Sequence, residues 1–186
     1  LLFRKMIDGV MHYYLFGRYY LPEDRINEED NRHYQSWNHD GHIYATSGAR
    51  IDYEEIEAHV ISDIEKYDIE LIGFDPDGAE ECTQRIVNEK SDVTRVEVKT
   101  TFTDISDSMK EFESLVKAGL MHHNDNPALN WMMSNVIAKE TDNGKRVRPV
   151  RANRNKKIDG AVSAMNAYAV QMTVEENETM PGIYVS

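Results

Sequence analysis

The sequence predicts a single α/β domain in which helices cover both faces of a mixed sheet. Three observations lead to this prediction. The chain has 186 residues, which is enough for one domain with its own core. It opens with an antiparallel strand pattern about Asp8-Gly9, and it then alternates between strand and helix patterns. We expect this domain to cover residues 1–172 and a loose tail to follow at 173–186.

The first part of the chain predicts a hairpin followed by a loop. Residues 1–7 and 10–21 are rich in aromatic and β-branched residues, and Asp8-Gly9 is a strong signal for a two-residue turn. Residues 22–41 are polar and acidic, which predicts a loop with a helical turn. A short strand is expected to end at Thr46.

The middle of the chain predicts two strand and helix pairs. Apolar residues recur at helical spacing over 51–67, with Asp52 as the N-cap. Residues 69–75 form a short apolar run typical of a buried strand. A helix over 79–88 and a strand over 94–100 follow.

The second half predicts two further helices, a hairpin and a last helix. We expect the first helix to begin with a capping box at Ser106 and to end at Gly119. The remaining elements are a strand at 120–123, a helix at 126–136, a hairpin about Asn143-Gly144 and a helix from Lys157.

The net charge of −12 argues against a basic surface of the kind that usually binds nucleic acid. However, residues 145–157 contain seven of the 21 lysine and arginine residues and no acid. Such a basic strip favours local contact with phosphate, and a solvated hairpin with ordinary surface charge is the alternative. The candidate contact residues are Arg151, Arg154, Lys156 and Lys157.

Two acids lie where rigid elements would hold them. Asp75 ends a predicted strand, and ligands of open α/β sheets bind outside the carboxyl ends of strands. Asp159 opens an alanine-rich helix directly after the basic strip. Turn chemistry is the alternative for Asp75, and an N-cap or first-turn acid is the alternative for Asp159. Two carboxylates beside positive charge are what a metal-dependent enzyme acting on a phosphodiester needs.

Other classes of site are not indicated. The sequence contains no Walker A or GxGxxG loop, and its seven histidines do not form a zinc pattern. The single cysteine, Cys82, fits a reducing compartment. No apolar run is long enough for a transmembrane helix, and the first residues do not form a secretory signal. We therefore expect a protein without a membrane partner that is not secreted.

Five segments of the sequence resemble one family in their order and spacing. They are FGRYYLPED, SWNHDGHIYATSGARIDYEEI, LIGFDPDGA, LVKAGLMHHNDNPALNWMMSNVIAKETDNGK and KKIDGAVSAMNAY. Together they resemble the C-terminal nuclease domain of tailed-phage terminase large subunits, in particular those of HK97-type phages and related prophages. The resemblance covers residues 13–170.

The resemblance implies an RNase H-like (resolvase/integrase-like) fold and a metal-dependent endonuclease that cuts concatemeric viral DNA in the host cytoplasm. Asp75 matches the family's second metal-binding acid and Asp159 matches the last. Two Mg²⁺ or Mn²⁺ ions would activate water for in-line attack and stabilise the leaving oxygen. The implied partners are double-stranded DNA, the portal protein and the terminase small subunit. ATP would act only in a separate N-terminal motor domain.

The sequence departs from the family pattern at two places. The family has an acid on its first strand, ahead of the stretch that matches residues 1–3, so we expect the first strand to be truncated at its start here. Activity would then depend on an acid upstream of Leu1. Asp77 replaces a frequent aromatic residue and adds an acid near Asp75. The alternatives are a non-catalytic RNase H-like module that docks DNA or the portal, and another RNase H-like nuclease of the resolvase or transposase type.

Overall fold

Strands and helices alternate along the chain after an opening hairpin, as the sequence predicts. The computed structural model describes residues 1–141 and 143–179. The strands are β1 (Leu2–Ile7), β2 (Val10–Leu15), β3 (Tyr20–Pro22), β4 (Tyr44–Thr46), β5 (Leu71–Phe74), β6 (Thr94–Glu97), β7 (Met121–His123), β8 (Val136–Glu140) and β9 (Val147–Arg151). The helices are α1 (Glu23–Ile26), α2 (Arg32–His39), α3 (Tyr53–Tyr67), α4 (Pro76–Glu89), α5 (Ser106–Lys117), α6 (Pro127–Ser134) and α7 (Asp159–Thr179).

Parallel and antiparallel pairing occur together, so the predicted mixed sheet is confirmed. β2 pairs antiparallel with β1 on one side and parallel with β7 on the other. Asp8 and Gly9 join the first two strands with positive φ angles of 49° and 81°, which is the turn that matches the twist of a hairpin. β5 pairs parallel with β6, β3 pairs parallel with β4, and β8 pairs antiparallel with β9.

Helices cover both faces of β5. Ile72 packs into an apolar cluster built by α3 and α4, whose buried members include Ile64, Cys82 and Ile86. The next residue, Gly73, faces α7 on the opposite side, because successive side chains of a strand alternate between faces. The predicted layering around this strand is therefore present.

The last helix lies at the centre of the domain. Ala161 is fully buried between α2 and α6, and Ala164 and Tyr168 are buried against α5 and β2. Small side chains on α7 allow neighbouring elements to approach its backbone closely. The helix that begins at Asp159 is therefore a rigid element, as the sequence predicts. None of the described helices has the length and apolar character needed to cross a bilayer.

Two predictions in the first 50 residues are wrong. The predicted strand 10–21 ends at Leu15 and resumes as β3; between the two strands, the side chain of Tyr19 occupies the place of a Cβ at Gly17. The predicted loop 22–41 contains α1, a 3-10 helix at Glu29–Asn31 and α2. Its polar composition hides the buried side chains, such as Tyr34, that hold these helices in place.

Two helix ends also differ from the prediction. Ser106 does not cap α5. Its buried hydroxyl instead accepts a hydrogen bond from the backbone N–H of Val147 at 3.1 Å, which links α5 to β9. α7 continues past residue 172, so the part of the predicted loose tail at 173–179 is helical. Residues 180–186 of that tail lie outside the described residues.

Candidate functional site

Asp75 lies at the junction between β5 and α4. It is half-buried, follows the buried Phe74, and accepts a hydrogen bond from the backbone N–H of Asp77 at 3.1 Å through Oδ1. It is therefore the N-cap of α4, whose first turn is distorted at Asp77 and Gly78. Both interpretations of Asp75 hold at the level of position: it makes the turn, and it stands at the carboxyl end of a parallel strand.

An open groove of about 410 Å³ lies beside Asp75. The β5–α4 junction forms one wall with Asp75 and Asp77, and the segment after β6 contributes Lys99 to Phe102. β9 contributes Arg148. The groove thus brings two carboxylates and two cations together from three separate parts of the chain.

The two cations differ in how they are held. Lys99 pairs with Glu97 at 2.8 Å, and this hydrogen bond raises the pKa of the lysine above its ordinary value. The guanidinium of Arg148 lies 5.2 Å from the ring centre of Phe102, and its buried Nε has no hydrogen-bond partner. Among the described residues, no carboxylate forms a salt bridge with Arg148. Arg148 therefore contributes to the groove a positive charge that is not held in a salt bridge within the described residues.

Asp159 is the exposed first residue of α7. The backbone N–H of Gly160 beside it points to Sδ of Met132 at 3.2 Å, and a Cβ at Gly160 would overlap Met132 and Tyr19. Glycine is therefore required where the helix starts against α6. Burial raises the pKa of the Tyr34 hydroxyl and the charge of Asp159 raises it further, which places this carboxylate near α2.

Asp75 and Asp159 lie on separate elements of the structure. Asp159 is not among the residues that line the Asp75 groove, although α7 packs against β5 only two residues before Asp75. Both side chains offer the oxygen donors that Mg²⁺ and Mn²⁺ prefer. Within residues 1–141 and 143–179, however, no group of three or more potential metal-ligating side chains occurs. A shared metal site between Asp75 and Asp159 stays a prediction.

The basic strip lies on the surface as the sequence predicts. Arg151, Arg154 and Lys156 are exposed, and no salt bridge to them is found in the described part of the chain. Lys157 is half-buried, and its carbonyl accepts a hydrogen bond from Asn135 at 3.0 Å. Contact of these four residues with DNA stays a prediction.

Sequence reasoning missed Arg148 and Phe102. Arg148 belongs to the same basic strip, but the four residues chosen from it were all closer to the last helix. A signal was present, because alternation along β9 puts Arg148 on the opposite face from the buried Pro149. Nothing in the sequence indicated that Phe102 would lie beneath it.

His122 lies elsewhere, on β7. Its Nε2 is 2.8 Å from Nδ1 of His12 on β2, and its ring stacks on Tyr14. It does not line the Asp75 groove.

Comparison with known proteins identifies the family. The model for the terminase large subunit, endonuclease domain, matches residues 5–175, which is most of the chain. The chain belongs to this family. The terminase nuclease assignment agrees with the resemblance drawn from the five sequence segments.

Two curated relatives match most of this chain. Protein YmfN of Escherichia coli (strain K12) is 33% identical over 193 residues, covering 96% of this chain and 41% of that protein. The large terminase subunit of Enterobacteria phage HK97 is 24% identical over 160 residues, covering 84% of this chain and 31% of that protein. The chain therefore spans less than half the length of either relative.

A solved structure confirms the fold. The crystal structure of the HK97 bacteriophage large terminase matches 88% of this chain and 34% of its own, with a TM-score of 0.70 at 21% identity. The terminase nuclease domain described here thus has the predicted RNase H-like α/β fold.

Proposed function

We propose that this chain is a Mg²⁺- or Mn²⁺-dependent endodeoxyribonuclease domain that cuts concatemeric DNA during viral genome packaging. The observation that carries the proposal is the position of Asp75. In a member of the terminase endonuclease family, this carboxylate stands at the end of a parallel strand, in an open groove that also contains an arginine with no salt bridge to any described residue.

The residues of the chain have separate tasks in this proposal. Asp75 and Asp159 would hold the metal, because each is fixed at the end of a buried element. A bound divalent ion would activate a water for attack on phosphorus and stabilise the leaving oxygen. The four strip residues would contact the DNA backbone, and an acid upstream of Leu1 would complete the ligand set. DNA, the portal protein and the small subunit are the proposed partners, in the cytoplasm of the host.

Replacement of either acid by asparagine tests the proposal. Asparagine is as good an N-cap as aspartate, so Asp75→Asn removes the charge and keeps the hydrogen bond to Asp77. We expect Asp75→Asn or Asp159→Asn in the full-length protein to lower Mn²⁺-dependent plasmid cleavage more than about 100-fold, because even loss of a ligand's hydrogen-bond partner costs about 10- to 100-fold.

The matched control is Asp68→Asn. Asp68 is an exposed aspartate in the left-handed conformation after α3, which asparagine also adopts readily. This variant should cut plasmid at the wild-type rate. Circular dichroism should show the same fold for all three variants. Wild-type cleavage by the Asp75 and Asp159 variants would reject the site.

A second candidate function is a non-catalytic module that docks DNA or the portal. The observation that favours it is the lack of a three-ligand cluster in the described residues. Calorimetric titration with Mn²⁺ separates the two functions, since only the nuclease should lose metal affinity in Asp75→Asn. The family assignment favours a packaging enzyme over a resolvase or transposase.

A further inference from the structure

Arg148 lines the groove and carries a buried donor whose bonding is incomplete. Its Nε is buried without a partner among the described residues, and its guanidinium covers Phe102 at 5.2 Å. The rest of the guanidinium can pair with an anion that enters the groove and supplies an acceptor.

The neighbouring groups do not supply that acceptor. Asp75 and Asp77 line the same groove, yet neither forms a salt bridge with Arg148 within the described structure. Asp75 directs Oδ1 to the backbone of its own turn instead. The groove is therefore lined by a guanidinium and two carboxylates that are not paired with one another within the described structure.

Arg148 is held in place by the contacts of the two residues that precede it. The backbone N–H of Val147 donates to Ser106 Oγ at 3.1 Å, and the side chain of Arg146 donates to Thr103 Oγ1 at 2.9 Å. Both contacts tie β9 to the segment that contains Phe102. The guanidinium is thus positioned by a strand and an aromatic face, unlike the exposed cations at 151–156.

We propose that Arg148 binds a phosphodiester of DNA in this groove and positions it beside Asp75. The planar guanidinium can donate two parallel hydrogen bonds from its two Nη groups to two phosphate oxygens, while its face stays on Phe102. A phosphate bound there would lie in the groove that Asp75 also lines. This inference rests on the proposed function, because it names the substrate contact of the same site.

The test measures DNA binding separately from cleavage. Binding of a fluorescent 20-base-pair duplex is followed by anisotropy in Ca²⁺, with Asp75→Asn as the parent so that no cutting occurs. We expect Arg148→Gln to weaken binding about 10- to 100-fold, the range for loss of a charge-assisted hydrogen bond. Arg148→Lys keeps the charge but loses the fork, so we expect it to restore only part of the affinity. Phe102→Leu should weaken binding in the same direction.

Arg95→Gln is the matched control. Arg95 also lies over a phenylalanine, Phe74, at 4.8 Å, but its donors are satisfied by Glu80 and Thr83 and it does not line the groove. Its loss should lower the melting temperature and leave the affinity of the folded protein unchanged. An equal loss of affinity in Arg95→Gln and Arg148→Gln would mean that Arg148 supports the structure and does not contact DNA.

The outcomes separate this inference from the nuclease proposal. If the wild-type protein cuts plasmid, and Arg148→Gln and Arg148→Lys made in the wild-type background bind and cut as it does, the phosphate assignment is wrong and the nuclease stands. If the wild-type protein does not cut, but binding depends on Arg148, the nuclease proposal fails and the phosphate contact stands. Melting curves measured beforehand confirm that each variant is folded.

Discussion

Replacement of Gly73 by alanine should force β5 and α7 apart. An ideal Cβ at this position would lie 2.6 Å from Cγ2 of Val170 and 3.2 Å from the carbonyl oxygen of Asn166. Carbon atoms normally approach to about 3.5–4.0 Å, so one of the two elements has to move by about 1 Å. Neither neighbour can swing away, since one is a stiff β-branched side chain in a helix and the other is backbone.

The free-energy cost follows from these contacts. Overpacking of a core costs about 1–3 kcal/mol, and alanine recovers about 0.5–1 kcal/mol by restricting the unfolded chain. We therefore expect Gly73→Ala to lower the free energy of unfolding by about 1–2 kcal/mol, and the melting temperature by about 2–4 °C for each kcal/mol. Urea unfolding followed by circular dichroism measures the first quantity directly.

A double-mutant cycle with Val170→Ala assigns the cost to this contact. Val170→Ala alone should cost about 2 kcal/mol, because it removes two buried methyl groups. It also removes the atom at 2.6 Å, so the double variant should be about 1 kcal/mol more stable than the sum of the two single effects. Strict additivity, or an unchanged Gly73→Ala protein, would refute the packing argument.

Three further predictions concern other parts of the molecule. Charge reversal at Arg151, Arg154 and Lys157 should weaken DNA binding and reduce the slope of log K against log salt by up to about three, as anisotropy at several salt concentrations would show. Unchanged slopes would mean that these residues do not contact DNA phosphates. Arg18→Met leaves the buried Asp63 without its bidentate partner, so it should lower the free energy of unfolding, measured in urea, by about 2–3 kcal/mol. The double variant Arg18→Met with Asp63→Leu should recover part of this stability. An unchanged free energy of unfolding in Arg18→Met would mean that the pair does not stabilise the fold. Burial, and after it the charge of Glu57, raises the pKa of the Cys82 thiol to about 11, so little thiolate exists at pH 8. Labelling of Cys82 with a disulfide reagent should therefore be slow until urea unfolds the domain. Rapid labelling of the folded protein would contradict this prediction.

The sequence predicted turns, caps and element ends correctly where the residues of one short segment determine its conformation. Asp52 caps α3 by accepting hydrogen bonds from Glu54 and Glu55, as predicted, because an N-cap needs only residues within its own turn. The Asp8-Gly9 hairpin follows from the conformations that these two residues tolerate. The positions of Asp75 after β5 and of Asp159 at the start of α7 were predicted for the same reason.

The predictions were wrong where contacts between segments distant in the chain stabilise the local structure. Residues 22–41 look like a loop, yet α2 is stabilised by Tyr34 and Trp37 packing on Trp131, about one hundred residues away in the chain. Ser106 was predicted to cap α5, but its hydroxyl accepts a hydrogen bond from the backbone of β9. In both cases a tertiary contact outweighs the local preference of the sequence.

The sequence by itself determined the family, the α/β class and the two acids at element ends, because these depend on ordered motifs and local periodicity. Only the tertiary structure decided what surrounds each acid. It placed Arg148 over Phe102 in the groove of Asp75, and it left Asp159 at the exposed start of α7, where it does not line that groove. The physical reason is that a groove is made by side chains from separate strands and loops, and their meeting depends on how β9 packs on α5 and the segment before it.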